Sequence, residues 1–173
     1  RQITLIGLMT AITCILAPLS IPLPFSPVPI SLTNLVIFIS VFILGMKDAT
    51  ISFLIYLLLG AVGLPVFASF HAGLSVLAGP TGGYLIGFIF LALIQGFAMK
   101  YFDRKLIPTI IGMLIGMAVC YIFGTVWLAK LMSLSFKEGL FMGVIPYLPG
   151  DAVKIIIAVI VGPKLYAATK KVR

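Results

Sequence analysis

The chain has 173 residues, 62% of them hydrophobic and 9% charged, and its mean hydropathy of +1.27 excludes an ordinary soluble domain and implies an integral membrane protein. Twelve Lys and Arg against four acidic residues give a formal charge of +8. The cations fall between and after the apolar runs and form no stripe interleaved with aromatics, which argues against a nucleic-acid partner and for loop charges beside a lipid bilayer.

The sequence starts at Arg1 without an initiator methionine, so further residues before it are expected. The first apolar stretch, residues 3–19, is too long and too well connected for a signal peptide. It exits into PLSIPLPFSPVPI, whose five prolines between Pro18 and Pro29 cannot continue a regular helix. Apolar runs of membrane-spanning character follow at about 31–45 and 49–62, separated only by Met46, Lys47 and Asp48, so tight antiparallel neighbours are expected. Residues 63–82 break the helical pattern with glycine and proline while keeping Val, Phe and Leu, which predicts a loop folded onto the protein. Further spans are predicted at 83–101, 107–132 and 151–168, the last two joined by a surface segment with a short amphipathic turn. The predicted fold class is thus all-α, a single domain over 1–173 built as a bundle of six transmembrane helices with long irregular extracellular loops. Cys14 and Cys120 lie inside apolar runs without metal-type spacing and read as packing residues.

With six spans, both termini share a compartment. That side collects Arg1, Lys47, Lys100, Arg104, Lys105, Lys164, Lys170, Lys171 and Arg173, and the other holds Lys130, Lys137 and Lys154. The asymmetry puts both termini in the cytoplasm. The proline-rich loop, the 63–82 loop and the start of the last span then converge on the outer face as a lidded pocket.

That last start, LPGDAVK (148–154), holds Asp151 and Lys154 three residues apart, on one face of a helix whose entry suits Pro149 and Gly150. Each ion costs about 2.5–3.5 kcal/mol near a membrane centre. The pair reads either as a polar ligand site or as a helix cap with its i+3 partner. Asn34, the chain's one asparagine, is placed to hydrogen-bond a ligand amide or a neighbouring helix. The lone His71 suits a loop hydrogen bond better than a metal site, because no second histidine or cysteine accompanies it. GPTGGYLIG (79–87) lacks the Lys-Ser/Thr ending of a phosphate loop. Its glycines fit tight turns and close helix contact, with Tyr84 able to turn a hydroxyl or ring to the pocket. Gly112, Gly116, Cys120 and Gly124 form a small-residue packing stripe, and Gly7 with Ala11 a shorter one. No nucleotide motif, zinc cluster, nucleophile elbow or paired carboxylates appear in the sequence, so no metal, cofactor or enzymatic activity is expected.

The order PVPISL (27–32), GLPVFA (63–68), GPTGGYLIGF (79–88) and LPGDAVK (148–154) resembles the BioY family, the biotin-binding S components of energy-coupling-factor transporters, over nearly the whole chain. The resemblance implies a six-helix subunit that captures biotin from outside with high affinity. It also implies coupling to a membrane scaffold protein and two cytosolic ATPases, with Gly7 and Ala11 supplying the small face that meets the scaffold. Ser31-Leu32-Thr33-Asn34 stands where the family usually reads T-L-Q-T, and Ser69-Phe70-His71 where glycines often follow GLPVFA. Biotin's ureido ring matches Asp151 as acceptor with Lys154 or Asn34 as donor. Its ring and chain carbons match apolar walls from Phe67, Phe70, Val28 or Tyr84, and Ser69 joins them as a candidate contact. The competing function is a solitary carrier for biotin or another small vitamin. An intramembrane enzyme is disfavoured because no nucleophile–base pair is visible.

Overall fold

The computed structural model describes residues 1–171, and Arg173, one of the cations counted above, lies outside the described residues. Eight helices and one hairpin follow in the order α1 (Gln2–Leu16), β1 (Ser20–Leu23), β2 (Ser26–Ser31), α2 (Thr33–Leu44), α3 (Met46–Ala61), α4 (Leu74–Ala78), α5 (Gly82–Tyr101), α6 (Leu106–Met132), α7 (Phe136–Gly143) and α8 (Leu148–Lys171). Gly82–Tyr101, Leu106–Met132 and the stretch Phe136–Lys171 are long and apolar enough to cross a membrane, and Gln2–Leu16 and Thr33–Leu44 are shorter apolar helices. Large apolar side chains such as Ile3, Ile107 and Ile156 are exposed around the outside, as the composition requires of a protein whose solvent is lipid.

The hairpin departs from the all-α expectation. β1 and β2 pair antiparallel, Ser20 with Ser31 and Ile21 with Ile30, with an irregularity between Ile21 and Leu23. A two-stranded ribbon leaves one edge of each strand unpaired, so prolines that lack an N–H are tolerated there although they would break a helix. The 63–82 segment also carries more structure than a loop, with a 3-10 turn at Ala68–Phe70 and the short α4. It is tied down on both sides: Tyr56 Oη donates to Val66 O at 3.0 Å and Trp127 Nε1 to Gly79 O at 2.9 Å.

Around α2 the bundle is closed by close contacts and polar clasps. Gly45, at φ +84°, ends α2 and opens α3 with no intervening loop, a reversal that glycine allows at no steric cost. Arg104 donates from Nη1 to Phe42 O at 2.7 Å and lies 3.8 Å above the Tyr166 ring, so one guanidinium satisfies a carbonyl of α2's last turn and holds α8 beside it. Gly162 of α8 rests against the Phe42 ring. The α6 stripe is a packing face: Gly112, Gly116 and Gly124 meet Ala98, Leu91 and Tyr84 of α5, and Cys120 meets Gly87. On α1, Thr10 and Ser52 share a hydroxyl contact of 2.9 Å with α3, whereas Gly7 and Ala11 face outward with nothing near Gly7's missing Cβ.

Candidate functional site

At the hairpin end of the bundle a cavity of about 460 Å³ lies between β2, α2, the 67–81 segment, α5, α6 and the start of α8, a size suited to a small organic ligand. Its polar end begins with the sequence spacing itself. Helix α8 starts at Leu148, so Asp151 and Lys154 stack one turn apart, and Lys154 Nζ lies 3.0 Å from Asp151 Oδ1. Asn34, at the start of α2, donates from Nδ2 to the same Oδ1 at 2.8 Å. Tyr121 of α6 donates its hydroxyl to Asp151 Oδ2. Lys154 also donates to Ser31 O at 2.7 Å, where β2 ends. Helices α2, α6 and α8 therefore meet at one carboxylate, and the hairpin joins them through Lys154.

Burial gives this cluster its chemical meaning. Asp151, Lys154 and Asn34 are 6%, 9% and 4% exposed, so neither ion has bulk water to hold it and each relies on the other. The donor count shows what remains for a guest. A carboxylate offers about four lone-pair sites, and three are taken by Asn34, Lys154 and Tyr121. Two of the three Lys154 N–H groups are used and one of the two on Asn34 Nδ2 among the described residues. The cluster thus has one acceptor site and two donors left for a neutral polar group, the complement of one amide N–H and its carbonyl.

The remaining wall is apolar and aromatic. Phe67 is 1% exposed and stacks edge-on against Tyr56 at 5.7 Å between centroids. Tyr84 lines the cavity and is buried. Its ring packs on Gly124 and its hydroxyl abuts Gly143 with no hydrogen-bond partner among the described residues. Tyr147 closes the side, donating to Ser26 Oγ at 3.0 Å and to Val28 O, and so ties the segment before α8 to β2.

Of the residues singled out in the sequence, Asp151, Lys154, Asn34, Tyr84, Phe67 and Ser69 line this one cavity, together with Val28. Phe70 does not; it is 63% exposed and points away. Ser69 and Phe70 have φ +58° and +61°, left-handed backbone that glycine adopts freely and other residues adopt at a cost. That geometry explains why glycines suit this place. Ser69 is held by a 2.8 Å contact with Ser20 Oγ and by its N–H on Pro18 O at 3.2 Å. Asn34 bonds Asp151 of α8 and also lines the cavity, and Asp151 bonds three side chains, its i+3 partner Lys154 among them. Gly7 and Ala11 lie outside the cavity, on the exposed face of α1. Tyr121 escaped the sequence reading; the one available signal was its place beside Cys120 in the small-residue stripe.

A family model described as the BioY family matches residues 1–171. A protein of Pyrococcus horikoshii named "Probable biotin transporter BioY" is 34% identical over 98% of each chain. The biotin transporter BioY of Thermotoga maritima is 35% identical over 95% of each. Among solved structures, the S-component for biotin from an ECF-type ABC transporter is similar, with a TM-score of 0.88 and 32% identity, covering 95% of this chain and 89% of that one.

Proposed function

Because the chain belongs to the BioY family, we propose that it is a biotin-capturing S component, a membrane subunit that binds biotin in the cavity and delivers it to an ATP-driven energy-coupling-factor importer. The observation that carries the reading is the buried Asn34–Tyr121–Asp151–Lys154 cluster, whose one remaining acceptor and two donors match one N–H and the two carbonyl lone pairs of a ureido ring. Phe67, Tyr84 and Val28 supply the apolar wall for the bicyclic carbons, and Ser69 lines the approach.

In this reading the chain is one domain in which α1, α2, α3, α5, α6 and α8 each cross the bilayer. The three shorter helices are accommodated by local thinning and by packing among neighbours. The end bearing Arg1, Lys47, Arg104 and Lys170 faces the cytoplasm and the cavity faces outward. The energy source is external, a scaffold protein with two cytosolic ATPases, and the exposed Gly7/Ala11 face of α1 is the docking surface for the scaffold.

Uptake of labelled biotin into proteoliposomes tests the proposal. The chain alone is expected to bind biotin without accumulating it, and the chain with a matching ATPase module to accumulate it only with ATP. Concentrative uptake by the chain alone would make it a solitary carrier instead.

A further inference from the structure

The proposed function leaves one half of a biotin-like ligand unaccounted for, its carboxylate. A carboxylate at the cavity mouth is held by more than water only where a cation meets it. Within the cavity the Asp151–Lys154 pair sums to zero charge, and Asp151 and Ser31 O already hold Lys154. Apart from that pair, tyrosines and Cys120, the one ionisable side chain lining the cavity among the described residues is His71.

The geometry points to His71 as the carboxylate anchor at the cavity mouth, an inference that rests on the biotin reading above. His71 is exposed while Asp151, Lys154 and Asn34 are buried, so the cavity has a buried polar end and an ionisable rim. Its Nδ1 lies 2.9 Å from Ala68 O. A carbonyl can only accept, so Nδ1 carries a proton and the ring is oriented with Nε2 as its remaining polar atom. In its cationic form Nε2–H donates as well, and a charge-assisted bond to a carboxylate follows. The ring is kept at the rim by its own loop: Phe67 N–H donates to His71 O at 3.1 Å and His71 N–H to Ala68 O at 3.4 Å. The other polar side chains from the same stretch, Ser69, Ser75 and Thr81, bring no charge. A ligand therefore enters with its neutral polar head toward Asp151 and leaves its acid at His71, and the site selects acids over their neutral derivatives.

In the neutral ring Nε2 only accepts, so calorimetric titration of the purified protein at pH about 5.5, where an imidazole carries both protons, with biotin and with its neutral primary amide tests this. Wild type is expected to bind the acid more tightly. His71→Ala should weaken acid binding about fivefold, the upper range for an exposed ion pair, and leave amide binding unchanged, which also shows that the fold is intact. His71→Arg should keep the preference for the acid. Equal losses for acid and amide in His71→Ala, or no loss for either, overturn the inference. Wild type that binds neither compound overturns the biotin reading itself, a distinct result from biotin binding that is indifferent to His71.

Discussion

Replacing Asp151 with asparagine is the sharpest perturbation of the site, because the side chain keeps its shape and loses its charge and half of its acceptor capacity. In the wild type three donors converge on the carboxylate: Asn34 Nδ2 at 2.8 Å, Lys154 Nζ at 3.0 Å and the Tyr121 hydroxyl. About one acceptor position is left for a ligand N–H. A single hydrogen bond to a charged acceptor contributes about 1.5–3 kcal/mol, so Asp151→Asn should raise the biotin Kd roughly 10- to 150-fold. The same change leaves the Lys154 ammonium without its counter-charge at a position 9% exposed, so the melting temperature should fall as well. Calorimetric titration in detergent, paired with a thermal melt on the same preparation, separates the two effects. Tyr121→Phe is the companion variant, since it removes one donor to the same carboxylate without altering charge, and it should lower stability by about 1.5–3 kcal/mol in the melt. An unchanged biotin affinity in folded Asp151→Asn would refute the reasoning and leave Asp151 a structural clasp between α2, α6 and α8.

Lys154→Met should abolish measurable biotin binding and destabilise the protein by about 3 kcal/mol, the cost of stranding one partner of a buried pair, as read from thermal unfolding. Gly143→Ala places a methyl group where the Tyr84 hydroxyl sits and should cost about 1–3 kcal/mol by overpacking; adding Tyr84→Phe, which deletes the colliding atom, should recover much of that loss in the melt. Phe70→Gly relieves a left-handed residue whose side chain is 63% exposed and should raise stability by about 1 kcal/mol without changing biotin affinity. Gly7→Trp on the outward face of α1 should block co-purification with the scaffold and ATPases while biotin binding persists.

The part of this structure that local rules govern could be read from the residues alone. The Asp151–Lys154 pair follows from i, i+3 spacing at the start of a helix, and the α6 stripe from small residues at four-residue steps. The order of helices α1, α2, α3, α5, α6 and α8 follows from apolar runs separated by charge or proline. What stayed hidden depends on contacts between distant segments. Prolines 22, 24, 27 and 29 exclude a helix, but whether their segment pairs with itself depends on a register that no composition rule supplies, and it folds as a hairpin. Tyr121 sits inside an apolar span, where aromatic residues are ordinary, and only the approach of α8 gives its hydroxyl a carboxylate to meet. Phe67 and Phe70 look equivalent in GLPVFASF, and the positive φ at Ser69 and Phe70 turns one into the core and the other outward. His71 makes the expected loop hydrogen bond and also lines the cavity, a placement that only the folded loop reveals.

Native mass spectrometry of the protein purified from a biotin-replete membrane tests most directly whether the buried cluster on α2, α6 and α8 holds biotin. The account predicts one biotin retained per chain in the wild type and none in Asp151→Asn. A wild-type chain that emerges empty under those conditions, or that carries a different small molecule in the cavity, would contradict it.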